Sequence, residues 1–238
     1  MSTQTTIARL IDHALLHPTL TDEAIREGCE LAASLNLKSV CVKPYAVPLA
    51  RRILAGTQTL VGTVIGFPHG AHTSPIKAAE ADQACLDGAD ELDMVINVAK
   101  ALQNDWEFVH DDIAAVVHAA QSHQALVKVI LETDYLADDQ LKRTLCQICM
   151  DAGANFVKTS TGFGFVKSDG GGYSYTGATE SDVRLMKAVC NNHIGVKASG
   201  GIRSHADALR MIDAGATRLG TSASQAILSQ AGRDESSY

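Results

Sequence analysis

The feature that most constrains this chain is a repeated junction, in which a helix-length segment closes on glycine and passes straight into a short apolar run. Asp87-Gly88-Ala89-Asp90 precedes the run at 91–96, Asp151-Ala152-Gly153-Ala154 precedes 155–158, and Asp213-Ala214-Gly215-Ala216 precedes 217–220. Glycine suits the left-handed residue just past a helix, and a short loop then enters a strand. The junction recurs about every sixty residues, so further units must lie between. Apolar, β-branched runs fill those gaps at 38–42, 60–65, 127–131 and 194–198, with a weaker one at 10–15. Amphipathic segments separate them, among them 74–86, 106–120, 137–151, 179–190 and 204–214.

Near-continuous hydrophobic strands alternating with helices indicate a parallel sheet covered by helices. Eight such strands close on themselves. The expected fold is therefore α/β, a (β/α)8 or TIM barrel forming a single domain over residues 1–238, with a short polar tail over about 229–238. A length of 238 residues fits the typical barrel of about 250. An open doubly wound sheet is the alternative, disfavoured because no G-x-G-x-x-G opens a helix after an early strand.

A formal charge of −7 with no Lys/Arg-rich run argues against a nucleic-acid or anionic-membrane surface. No apolar stretch approaches the roughly 18 residues of a membrane span, and Met1-Ser2-Thr3-Gln4-Thr5-Thr6 lacks a basic segment leading into an apolar one. The six cysteines are scattered through hydrophobic segments, as expected of thiols in a reducing compartment. The expected location is cytoplasmic. Cys146 and Cys149 spell C-x-x-C inside a helical pattern with no second pair, and read as small buried residues.

Barrel interiors are usually filled by Val, Ile and Leu, yet several runs here carry charges. Asp93 lies in Leu92-Asp93-Met94-Val95, Lys128 and Glu132 lie in 127–132 at spacings that put them on one face of a strand, Lys158 lies in Phe156-Val157-Lys158, and Lys197 lies in Val196-Lys197-Ala198. Burying an ion without partners costs several kcal/mol or shifts its pKa until it neutralises. These groups are therefore expected to converge inside the barrel mouth. Three lysines against two carboxylates leave one amine without a counter-charge. A neutral amine attacks a carbonyl to form an imine. Charge alone does not say which lysine is activated, and a purely structural ion-pair network is the other reading.

Ser199-Gly200-Gly201-Ile202-Arg203-Ser204 and Gly220-Thr221-Ser222-Ala223-Ser224 each follow a strand and open a helix. Glycines let backbone approach an anion, and N–H groups at a helix start point toward it. Phosphate sites of such barrels often follow strands seven and eight, so these two turns point to a phosphorylated ligand. The loop over 162–177 far exceeds the usual two to six residues of a strand-to-helix connection. It reads equally as a mobile flap or as a tolerated surface insertion. His13 with His17, and His69 with His72, are the only near pairs of histidines that suggest a metal; lacking a third ligand or H-E-x-x-H, they read as loop polar groups. No metal and no cofactor is expected.

At these residues the chain resembles the deoxyribose-phosphate aldolases. The resemblance runs from Ile11-Asp12-His13-Ala14-Leu15-Leu16-His17-Pro18-Thr19 through Ser39-Val40-Cys41-Val42, Val64-Ile65-Gly66-Phe67-Pro68, Asp93-Met94-Val95-Ile96-Asn97, Val157-Lys158-Thr159-Ser160-Thr161-Gly162 and Val196-Lys197-Ala198-Ser199-Gly200-Gly201-Ile202-Arg203 to Leu219-Gly220-Thr221-Ser222. It implies a lysine Schiff base at Lys158, with Lys197 as the second lysine and Asp93 sharing proton transfer. It implies that Asp12, Thr161 and Gly162 line the substrate pocket, and that Gly200, Gly201, Gly220 and Ser222 hold the phosphate. The implied partners are a small phosphorylated sugar and aldehydes, and the resemblance alone allows a homodimer. Lys43 and His69 depart from the usual residues of that family. Cys41 reads as a packed thiol near the mouth, and Tyr238 as the end of a disordered tail.

Overall fold

The computed structural model describes residues 3–168 and 170–234. Its centre is a closed barrel of eight parallel strands: β1 (Ile11–Leu15), β2 (Ser39–Val42), β3 (Leu60–Ile65), β4 (Glu91–Val95), β5 (Leu126–Ile130), β6 (Phe156–Lys158), β9 (Gly195–Ser199) and β10 (Arg218–Thr221). β10 pairs with β1 to close the ring. The strands read as continuous apolar runs because both faces are covered: every residue of β2 and of β4 is buried. β7 (Val166–Lys167) and β8 (Tyr173–Ser174) form a separate antiparallel hairpin inside the long loop after β6.

An outer layer of helices covers the barrel: α1 (Thr3–Ala8), α2 (Asp22–Ser34), α3 (Val47–Ile53), α4 (Ser74–Leu86), α5 (Val98–Leu102), α6 (Trp106–Gln121), α7 (Asp139–Asp151), α8 (Glu180–Cys190), α9 (His205–Asp213) and α10 (Ser224–Asp234). Several start on a side chain that accepts an otherwise unpaired backbone N–H: Thr21 for α2, Asp105 for α6, Asp138 for α7, Thr179 for α8, and Ser204 with Asp207 in a reciprocal capping box for α9. Such a cap typically contributes about 1 kcal/mol. The three glycine junctions end α4, α7 and α9 as the sequence requires. Gly88, Gly153 and Gly215 have φ of 106°, 81° and 110°. The N–H of the following alanine reaches back to close the helix, as in Ala89 N to Ala84 O at 2.9 Å.

Two boundaries differ from expectation. β5 stops at Ile130, and Glu132 takes a left-handed φ of 58° before a short 3-10 turn over Thr133–Tyr135. α10 continues to Asp234, through the first residues of the expected tail, whereas Tyr238 lies outside the described residues. No helix among the described residues is long and apolar enough to cross a membrane.

Candidate active site

The site begins with the inward-facing residues of the strands. β4 turns Glu91 and Asp93 into the barrel, β5 supplies Lys128, β6 Lys158, β9 Lys197, β10 Arg218 and β1 Asp12. All seven are buried. The parallel register sets Asp93 opposite Lys128, Lys158 opposite Lys197, and Lys197 opposite Arg218. Four cationic side chains thus meet three carboxylates in one network.

Asp93 sits at its centre. Its Oδ2 accepts from Lys158 Nζ and Lys197 Nζ, both at 2.7 Å, and its Oδ1 accepts from Lys128 Nζ at 2.9 Å. Lys197 also donates to Asp12 Oδ2 at 2.5 Å, and Lys128 reaches Glu91 Oε2 at 2.7 Å. Arg218 forks onto Glu91 at 2.9 and 3.0 Å and donates to Asp12 Oδ1 at 2.6 Å, where Ser39 Oγ also donates at 2.7 Å. Gly220 makes room for this packing, since a Cβ there would stand 3.1 Å from Lys197 Cε and 2.8 Å from Ser199 Cβ.

Burial and neighbours divide the lysines. Burial alone pushes every ammonium toward its neutral form. For Lys197, burial is outweighed by Asp12 and Asp93, and its pKa ends above the usual lysine range. Lys128 is likewise held charged by Asp93, Asp12 and Glu91. Lys158 has one carboxylate partner in the network, Asp93. There burial prevails, helped by the Lys197 ammonium, and its pKa falls below the usual range. Asp93 stays ionised: burial favours its neutral acid, but Lys128, Lys158 and Lys197 together hold its pKa well down.

Above the network a cavity of about 480 Å3 opens at the C-terminal ends of the strands, the face where such barrels carry their chemistry. Lys158 and Lys197 form its floor with Asp12 and Cys41. Thr161 and Gly162 line one wall, and Gly200, Gly201, Gly220 and Ser222 line another. Nine of the ten site residues that the resemblance implied therefore line the cavity. The tenth, Asp93, lies one hydrogen bond beneath it.

One expectation is corrected. Glu132 does not join the lysines. Because β5 has already ended, its carboxylate turns to the loop after β6, accepting from Thr161 N at 3.1 Å and Thr161 Oγ1 at 2.5 Å. Burial then pushes its pKa up, only partly offset by those donors. Glu91 and Arg218, which the sequence reading did not single out, complete the network instead. The surplus of one cation survives, with different members.

Other candidates find ordinary places. His13 Nδ1 bonds Ser224 Oγ at 2.8 Å, and burial lowers its pKa to about 4; His17 Nδ1 bonds Thr19 Oγ1 at 2.8 Å. Lys43 Nζ donates to the carbonyl of Leu20 at 2.8 Å and so ties the loop between β1 and α2. The Cys41 thiol is pushed up to about 11 by burial and by Asp93, which keeps it a packed, protonated thiol. Cys146 and Cys149 are buried on α7 and all six cysteines are free.

The long loop over 162–177 is anchored near both of its ends. Asp134 accepts from Thr176 N at 2.8 Å and Gly177 N at 3.1 Å, and Tyr135 Oη donates to Phe165 O at 3.3 Å. Its base is pinned beside the cavity while Tyr173 near its tip is exposed.

Comparison with known proteins shows the family. The sequence model described as DeoC/LacD family aldolase matches residues 6–230. The chain belongs to that aldolase family. It is 50% identical over 222 residues to deoxyribose-phosphate aldolase 1 of Cutibacterium acnes, covering 93% of this chain and 96% of that one. It is 48% identical over 230 residues to the deoxyribose-phosphate aldolase of Carboxydothermus hydrogenoformans, covering 96% of both. Among solved structures, the aldolase QR15 superposes with a TM-score of 0.87 at 37% identity, covering 96% of this chain and 97% of that one. The deoxyribose phosphate aldolase from Aeropyrum pernix, described as a unique tetramer, gives 0.83 at 32% identity, covering 96% and 92%.

Proposed function

We propose that this family member is a deoxyribose-phosphate aldolase that cleaves 2-deoxy-D-ribose 5-phosphate reversibly to acetaldehyde and D-glyceraldehyde 3-phosphate through an imine on Lys158. The observation that carries the assignment of Lys158 is its place as the least compensated cation of a buried network, at the floor of the cavity. Its neutral amine attacks the C1 aldehyde of the open-chain sugar, and loss of water leaves a protonated imine. That cation forms where Asp93 Oδ2 already stands 2.7 Å from Nζ, so its charge meets a preorganised carboxylate. The imine is an electron sink. Removal of the C3 hydroxyl proton breaks the C2–C3 bond, and the electron pair passes into the C1–C2 enamine while C3 becomes the aldehyde carbon of the departing product. Protonation at C2 and hydrolysis of the imine release acetaldehyde and restore the amine.

Asp93 and Lys197 supply the proton relay in this reading, with a water between them and the substrate. Their shared hydrogen bond at 2.7 Å supports it. Asp12 holds Lys197 in place, Thr161 and Gly162 shape the wall, and Gly200, Gly201, Gly220 and Ser222 cradle the phosphate. The cytoplasm is the proposed compartment, supported by six free cysteines, and a homodimer is the proposed assembly.

Borohydride reduction in the presence of acetaldehyde tests the central step. One two-carbon adduct on the peptide carrying Lys158 is expected; a label on Lys197 would exchange the two roles, and no adduct would remove the Schiff base.

A further inference from the structure

The returning arm of the loop over 162–177 brings one polar atom into the cavity wall with nothing to bond. Tyr175 lines the cavity, and its Oη is inaccessible to solvent yet has no hydrogen-bond partner among the described residues. Leaving a buried hydroxyl unpaired costs on the order of 1–3 kcal/mol, so its position calls for a ligand. The place is defined by two glycines. Gly200 (φ 93°) and Gly177 (φ 75°) lie against each other: a Cβ on Gly200 would fall 2.0 Å from Tyr175 Oη, and one on Gly177 would fall 2.7 Å from Gly200 C and O. The hydroxyl therefore rests over the turn that follows β9.

The seat is firm. The N–H of Ala178 donates to Gly200 O at 3.1 Å, Asp134 holds Thr176 N and Gly177 N, and the Tyr175 ring packs on Phe165 with centroids 5.8 Å apart. Arg203, beyond the same turn, also lines the cavity and brings a positive charge. We propose that Tyr175 is a specificity-determining residue, whose hydroxyl donates to an oxygen of the phosphate held over Gly200 and Gly201. Burial, reinforced by Asp134 and Glu132, raises the phenol to about 12, so it remains a neutral donor at ordinary pH and suits an anionic acceptor. This inference rests on the proposed aldolase reading and names the group that reads its phosphate.

The test compares 2-deoxyribose 5-phosphate with unphosphorylated 2-deoxyribose in the intact chain and in Tyr175→Phe, which keeps the ring and its contact with Phe165. A hydrogen bond to a charged group is worth roughly ten-fold or more in affinity. KM for the phosphorylated sugar should therefore rise roughly ten-fold, and the ratio of kcat/KM between the two sugars should fall by a similar factor. Inorganic phosphate, as a competitive inhibitor of the unphosphorylated reaction, should weaken in parallel. Equal losses on both sugars, or an unchanged ratio, would overturn the role. Should Tyr175→Phe fold poorly by thermal melting, Tyr175→Leu, which also lacks the donor, and the phosphate inhibition constant of whatever fraction remains active give the same comparison. Acetaldehyde trapping in the unsubstituted protein separates the two claims, because its failure would reject the aldolase reading whatever Tyr175 does.

Discussion

Lys158 and Lys197 stand opposite each other in the register of β6 and β9, and both direct Nζ at one oxygen, Asp93 Oδ2, each at 2.7 Å. Two ammonium groups on one carboxylate oxygen cannot both be fully compensated. Lys197 has Asp12 as a second partner at 2.5 Å, and Lys158 has none in the network. The asymmetry leaves Lys158 as the group that loses its proton first.

Removing Lys158 should therefore abolish turnover without weakening the fold. Lys158→Leu takes away the surplus cation and leaves three carboxylates facing Lys128, Lys197 and Arg218. Its melting temperature should equal or exceed that of the parent. Lys128→Met should do the opposite, since Glu91 and Asp93 would lose a buried partner at 2.7 and 2.9 Å. Breaking such a pair costs about 3–5 kcal/mol, which lowers melting by on the order of 10 °C in a domain this size. Calorimetry on the two variants decides. A large loss of stability in Lys158→Leu would mean that the network needs that charge.

The pH dependence of imine formation follows from the same geometry. The lowered pKa of Lys158 comes first from burial and next from Lys197, with Asp93 opposing both. The reactive neutral amine grows as pH rises through that lowered value, so acetaldehyde trapping should be faster on the alkaline side of it. Lys197→Met deletes a lowering influence and leaves Asp93 more available to the Lys158 ammonium. The acid limb of the trapping rate should then move to higher pH. A limb that stays in place would show that burial alone sets the nucleophile.

Much of this was legible in the chain because barrel strands are buried on both faces. The runs at β2 and β3 carry no charge and are buried almost throughout, and against such strands a charge such as Lys158 or Asp93 stands out. The glycine junctions at 88, 153 and 215 fixed helix ends through backbone geometry that no other residue adopts as easily. Glu91 and Arg218 escaped notice because their meaning lies across the barrel: they pair at a separation of 127 residues, and each sits at a strand start where charge is commonplace. Glu132 misled because spacing defines a face only while the strand continues, and a left-handed residue at 132 turns its side chain elsewhere. The hairpin seat of Tyr175 depends on Asp134 and Gly200, contacts that no local pattern encodes.

Activity should survive exhaustive dialysis against EDTA. A protonated imine on Lys158 takes up the electron pair of the breaking bond, so the chemistry asks for no Lewis acid at that step. Rates before and after chelation should agree. A loss that added zinc restores would reject the mechanism.

The displaced carboxylate provides a last prediction, because its work is done through Thr161. Glu132 accepts from both the N–H and the hydroxyl of Thr161, and Phe163 N in turn donates to Thr161 Oγ1 at 2.9 Å. Together these bonds fix the start of the loop where Thr161, Gly162 and Phe163 line the cavity. Glu132→Ala leaves the buried N–H of Thr161 unpaired, at a cost of about 1–3 kcal/mol, and loosens the wall but not the lysine floor, which Asp93 holds separately. KM for the sugar phosphate should rise while borohydride trapping of acetaldehyde on Lys158 continues. Glu132→Gln, whose amide oxygen can still accept from Thr161 N, should fall between the two. If instead Glu132→Ala stops trapping outright, Glu132 acts on the imine itself and the division between wall and floor is wrong.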